Sequence, residues 1–178
     1  MNEALIKISK ILVLPNYFFP KYKTKLIRLG KDNDGGYLIP VNSITSTKNL
    51  YSFGLNDDFS FEKDFLKIKN ININCYDHSV NLKFWIKRFI RDLKNILLFK
   101  IKKNELMNIF EYFSYRIFFN SKTCIHHRKF IAPRGTTILG MSSSEIIDLD
   151  EMFINNTNKD IFLKIDIEGS EYQILDQI

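Results

Sequence analysis

Residues 49–68 read NLYSFGLNDDFSFEKDFLKI. The run NLYSF (49–53) has the character of a strand, and SFEKDFLKI (60–68) that of a helix with Ser60 at its N-cap. Between them stand one glycine, Gly54, and two acids, Asp57 and Asp58. A strand that hands over to a helix is the building unit of a parallel α/β sheet. The turn itself admits two readings, an ordinary surface turn or a site for a small polar ligand. Glycine lets a ligand pack against the backbone, and the helix that follows offers unpaired N–H groups. With a single glycine rather than G-x-G-x-x-G, a dinucleotide pyrophosphate is a poor match. Two carboxylates would repel phosphate and pair with an ammonium group.

The alternation continues on both sides. INCYD (73–77) is a short apolar run that ends on Asp77, 23 positions after Gly54. A carboxylate roughly 20 residues beyond such a turn can take both hydroxyls of a ribose. The competing reading makes Asp77 the cap of a helix starting near Asn81, and the pairing with Gly54 favours the ribose. IFLKIDI (161–167) is the clearest buried strand, rich in β-branched residues. In KIDIEGSE (164–171), Asp166 and Glu168 lie two apart on an extended segment and share a face. Asp166 stands between isoleucines, where a carboxylate without a task is costly to bury. Glu171 falls in the first turn of the next helix, where capping explains it. KFIAP (129–133) reads as a further strand, and SSSEIIDLDEMF (142–153) as a capped helix or mixed segment.

Upstream, KLIRLGKDNDGGYLIP (25–40) sets two apolar stretches around Asp34-Gly35-Gly36, a hairpin signal. Residues 3–13 read as a short helix ended by Pro15. The chain is thus expected to be a single domain over 1–178, with a helix-and-hairpin extension at 1–48. Three strand ends carry acids: Gly54 with Asp57 and Asp58, then Asp77, then Asp166 with Glu168. In parallel sheets, ligands bind beyond those carboxyl ends.

Residues 81–130 form a helical insert. Leu82, Ile86, Phe89, Leu93 and Ile96 recur at steps of three and four, and Leu106, Phe110, Phe113 and Ile117 make a second stripe. The formal charge of the chain is +6, but residues 83–103 hold eight Lys or Arg against Asp92 alone. That segment carries +7, and the remainder is close to neutral at −1. Lys83, Lys87, Arg91 and Lys94 lie opposite the apolar stripe, with Phe84 and Trp85 beside them. Such a face can rest on an anionic membrane surface or hold an anionic acceptor such as a charged glycan. Nucleic acid is the weakest partner class here, and a solvated cationic face over an ordinary core stripe is the plainest reading.

Cys75 and Cys124 show no metal-finger spacing and fit a reducing compartment. The start, MNEALIKISKILVLPNYFFP, has too short an apolar run for a spanning helix or a secretion signal, so a cytoplasmic address is expected, peripheral to a membrane if the basic helix engages one. No metal is expected: His126 and His127 of CIHHRK (124–129) point to opposite sides of a strand. The set Asp166, Glu168 and Glu171 lacks the remaining oxygens of a magnesium site.

Three of these strings carry a family likeness. KIDIEGSEYQIL resembles the K-I-D-h-E-G-x-E-x-x-h-L signature of FkbM-type methyltransferases. LYSFGLNDDFSFE is similar to the Y-S-F-G-h-x-x-D-x-S-F-E motif of a related methyltransferase-domain family, and RLGKDNDGGYLIP resembles a segment of that group. The likeness implies a Rossmann-like class I sheet that binds S-adenosylmethionine. It places Gly54 beside the methionine part, Asp57 or Asp58 near its ammonium, and Asp77 on the ribose. Asp166 and Glu168 then face the methyl group and the acceptor, a sugar, glycan or other small hydroxyl compound, and one or other of them is the catalytic base that takes the hydroxyl's proton. A complete class I domain has seven strands, so an incomplete sheet of four to five parallel strands is expected, with an open edge prone to self-association. A truncated remnant without activity, kept as an anionic-surface or nucleic-acid binding module, is the alternative.

Overall fold

The computed structural model of the protein describes residues 21–32, 35–98, 110–154, 160–167 and 169–174. Two antiparallel strands, β1 (Leu26–Leu29) and β2 (Tyr37–Pro40), form the hairpin in the register Leu29 opposite Tyr37. Seven positions separate the two strands, where a tight hairpin leaves two; Asp34 lies outside the described residues, as does the helix expected over 3–13. A short helix, α1 (Val41–Ser46), follows.

The central sheet then builds in four parallel strands: β3 (Asn49–Phe53), β4 (Asn72–Tyr76), β5 (Cys124–His127) and β8 (Ile161–Ile165). Their spatial order is β5-β4-β3-β8. The chain moves outward from β3 to β4 to β5, then returns to the other side of β3, the strand-order reversal of a doubly wound α/β sheet. All five residues of β3 are buried, as a strand covered on both faces must be. The third sheet strand is thus Cys124–His127 and not KFIAP. Phe130–Ile131 (β6) instead pairs with Ile146–Ile147 (β7) in a separate two-stranded parallel sheet, and residues 142–153 are indeed mixed. β8 pairs with β3 on one side and, among the described residues, with no strand on the other.

Period-two alternation divides the core. Leu50, Ile73, Cys75 and Cys124 face the layer that holds α2 (Ser60–Ile68), α3 (Leu82–Leu97), α4 (Glu111–Phe118) and the hairpin. Tyr51, Phe53 and Tyr76 face the opposite layer, with α5 (Leu149–Phe153), β7 and Ile174 of α6 (Glu171–Ile174). The two cysteines are buried and unbridged. Phe61 and Phe65 seat α2, and Phe65 meets Phe162 of β8 edge-on at 5.3 Å.

The insert between β4 and β5 contains two helices where one would close the crossover. Asn81 caps α3 by accepting from the Phe84 N–H at 3.1 Å. The helix is seated by Trp85 and by the nearly buried Arg88 and Asp92, not by its apolar stripe. Leu82, Ile86, Phe89 and Leu93 are exposed, as are Phe113 and Ile117 on α4 and Phe110 just before it. Among the described residues no helix is long and apolar enough to cross a membrane.

Phe65 lies fully buried between α2 and the sheet. Phe65→Ala is expected to lower the unfolding free energy by about 3 to 5 kcal/mol, read as a drop in the urea midpoint without a change in slope.

Candidate functional site

The carboxyl ends of β3, β4 and β8 surround a cavity of about 670 Å³, within the range of small-molecule sites. Gly54, Asp57, Asp58, Asp77 and Asp166 all line it. Glu168 lies outside the described residues. The cavity stands where the strand order reverses, between β3 and β8. Gly54 has φ +83°, and a Cβ there would collide with the main-chain carbonyl oxygen of Asp166. The two strand ends can close on each other only because that carbon is absent. The ladder runs one residue past each strand: the Gly54 N–H donates to Tyr76 O at 3.0 Å, and the Asp166 N–H to Phe53 O at 2.9 Å.

Asp77 is occupied from within. Its Oδ2 accepts the N–H groups of Leu55 and Asn56, both at 2.9 Å, and its Oδ1 accepts the N–H and hydroxyl of Ser79. Burial alone would raise the carboxyl, but those hydrogen bonds outweigh it and hold Asp77 below the ordinary aspartate value. The helix cap is Asn81, so Asp77 works instead as the clamp of the Gly54 loop, in which Asn56 adopts φ +48°. Behind it stands His126. Its Nε2 lies 2.9 Å from the Asp77 carbonyl, which can only accept, so this nitrogen carries the proton. Nδ1 then accepts from the Tyr115 hydroxyl at 2.5 Å. The chain Tyr115–His126–Asp77 thus ties α4 to the cavity rim. Burial pushes the His126 imidazole below its ordinary value of 6.5, and does the same to His127, which stacks on Tyr76 and faces Asn74.

The acids after Gly54 are paired as well. Asp57 forms an ion pair with Arg88, which also meets Asp92 at 3.7 Å. Asp58 pairs with Lys31 of the hairpin loop at 3.4 Å and accepts from the Ser60 N–H at 3.0 Å. Asp58 is therefore the side chain that satisfies the start of α2; Ser60, expected as N-cap, is the first helical residue and accepts from the Lys31 N–H. Gly35 also lines the cavity, and a Cβ on it would press on the Asp58 carboxylate. The hairpin loop is in this way bound across the rim.

Asp166 was expected to be buried, but it stands exposed just beyond β8, because the chain turns away at the strand end. Tyr37 of the hairpin donates its hydroxyl to Asp166 Oδ2. Glu62 of α2, by contrast, is fully buried. Its Oε1 accepts from Ser52 at 2.5 Å and meets Lys164 Nζ at 3.3 Å. Lys164, 8% exposed, also donates to Gly54 O at 3.2 Å and lies against the rings of Tyr37 and Phe61. Lys164 lines the cavity as its floor, with Glu62 buried beneath it. Sequence reasoning placed no role on Lys164 or Glu62, although a lysine amid IFLKIDI signals a buried cation in need of a partner. Glu171, in the first turn of α6, reaches back instead to accept from the Ile167 and Gly169 N–H groups of the preceding segment.

Comparison of the chain with family models, curated proteins and solved structures finds no match.

Removing one member of the buried pair leaves the other uncompensated. Lys164→Met is expected to cost about 3 to 5 kcal/mol of stability, and the double change with Glu62→Leu to recover most of it, read by denaturant unfolding of the three proteins. For the histidines, the folded value lies below the unfolded one, so the unfolded chain binds more protons in the window between them. Stability is therefore expected to fall as pH drops below 6.5, and His126→Gln to flatten that slope in thermal melts across the window.

Proposed function

We propose that the chain binds S-adenosylmethionine at the tips of β3, β4 and β8 and acts as a methyltransferase, with a sugar, glycan or other small hydroxyl compound as acceptor. The observation that carries the reading is the meeting of Gly54, Asp77 and Asp166 around one cavity at the strand-order reversal. The cavity volume suits a ligand of that size, and the mixed lining of acids, Lys31, Lys129 and Tyr76 suits a molecule that carries both charges and a purine. The group supplies an electrophilic methyl on a cationic sulfur. The chain supplies the rest. Asp57 or Asp58 would answer its ammonium group, and Asp77 its ribose once Ser79 Oγ turns away from Oδ1. Asp166 is the base for the acceptor hydroxyl, its carboxylate oriented by Tyr37. Holding acceptor and donor in line supplies much of the acceleration. A class I domain and a cytoplasmic address follow from the same reading.

A second reading has its own observation. Asp57, Asp58 and Asp77 already hold partners within the chain. On that reading the cavity is a remnant and the chain a binding module without activity.

Titration calorimetry with S-adenosylmethionine separates the two. Binding heat is expected from the native chain and none from Gly54→Val. Asp166→Asn is expected to bind as tightly but to transfer methyl groups at least about 100-fold more slowly, the low end of a general base's worth. No heat from a folded native chain overturns the methyltransferase reading.

A further inference from the structure

The surface of α3 is arranged in three sectors. At about 100° per residue, Arg88, Asp92, Trp85 and Ile96 share one arc, and Trp85, Arg88 and Asp92 are the side chains that seat the helix. Next to it, an arc of roughly 100° holds Leu82, Ile86, Phe89, Ile90, Leu93 and Leu97. These six are 44–71% exposed. Beyond them, on the far flank, come Lys83, Lys94, Lys87 and Arg91, all exposed. Arg91 also touches Asp92 at 3.3 Å, while the three lysines make no ion pair among the described residues. Asp92, the single acid of α3, is turned inward, so the outward surface is apolar and cationic throughout.

We propose that α3 is a docking surface for a bilayer of anionic lipids, lying in the plane of the headgroups. The chemistry of the two outward sectors identifies the occupant. An exposed apolar stripe of this extent calls for burial, and the four cations beside it call for negative charge. A second copy packed face to face about a two-fold axis would set cations against cations with no acid to offset them. Nucleic acid would answer the cations and leave six apolar side chains in water. A partner protein that engulfs a basic helix needs most of its circumference, and the Trp85 side of α3 is already packed against Tyr112 and Tyr115 of α4. A flat, anionic surface with an apolar interior meets all three conditions. With 16 residues the helix is about 24 Å long and lies along the surface instead of spanning it. This surface is separate from the cavity, and the inference does not depend on the methyltransferase reading.

The test is co-sedimentation of the full chain with vesicles of mixed phosphatidylserine and phosphatidylcholine, and with vesicles of phosphatidylcholine alone. Partition onto the anionic vesicles is expected to exceed that onto the neutral ones at least about tenfold. Changing Lys83, Lys87, Arg91 and Lys94 together to Gln is expected to remove that preference. Phe89→Ser with Leu93→Ser is expected to lower partition onto both kinds. Trp85, the single tryptophan, reports on folding, since its buried emission is expected to stay unchanged in both variants. Equal partition on the two vesicle types, or none, overturns the proposal. So does a dimer dissolved by Phe89→Ser without vesicle binding, or nucleic-acid binding that survives Phe89→Ser with Leu93→Ser.

Discussion

At the tip of β3 two main chains come closer than any side chain would allow. Gly54 sits against the carbonyl oxygen of Asp166 with φ +83°, and its own N–H closes the ladder to Tyr76. That contact joins the ends of β8, β3 and β4, so the loops that leave those strands begin from fixed points. Asp77 then holds the Gly54 loop through two N–H groups, and Lys164 holds the Gly54 carbonyl from below. The cavity exists because these three restraints keep the loops from collapsing into the space between the strands. A larger residue at position 54 would separate β3 from β8 and remove the floor with it.

Charge is handled around that point by local neutralisation. The buried Glu62 is tolerated because Ser52 and Lys164 reach it, and Lys164 is tolerated because Glu62 and the Tyr37 and Phe61 rings surround its ammonium group. The rim acids are divided among different elements: Asp57 goes to α3, Asp58 to the hairpin loop, and Asp166 to Tyr37. Any guest must therefore compete with partners the fold already provides. The same arrangement makes the hairpin and the helical insert part of the site's walls, and the Tyr115–His126 link carries the insert's position to the Asp77 backbone. On α3 itself, drawing Arg88 and Asp92 inward to serve Asp57 turns the apolar stripe outward.

Much of this was readable along the chain wherever a local rule governs. NLYSF and SFEKDFLKI are the strand and helix they read as, and the three acid-bearing strand ends do gather at one cavity. The readings that missed share a cause. Asp166 between isoleucines promised a buried carboxylate, but it stands exposed at the cavity rim, where, among the described residues, no element covers the end of β8. KFIAP has strand composition, yet CIHH took the place in the sheet, because its partners on β4 lie some fifty residues away and no local pattern names them. Ser60 had the right chemistry for a cap, but Asp58 reached the helix start first.

What the sequence by itself determined is the alternation of strand and helix around β3, β4 and β8, and that acids follow three strand ends, since period and turn chemistry act over a few residues. The tertiary structure alone decided which charge meets which: Lys164 finds Glu62 across 102 positions, and Tyr37 finds Asp166 across 129. It also decided that the apolar stripe of α3 faces outward. Periodicity states which residues share a face, but whether a face is covered depends on what the rest of the chain brings against it.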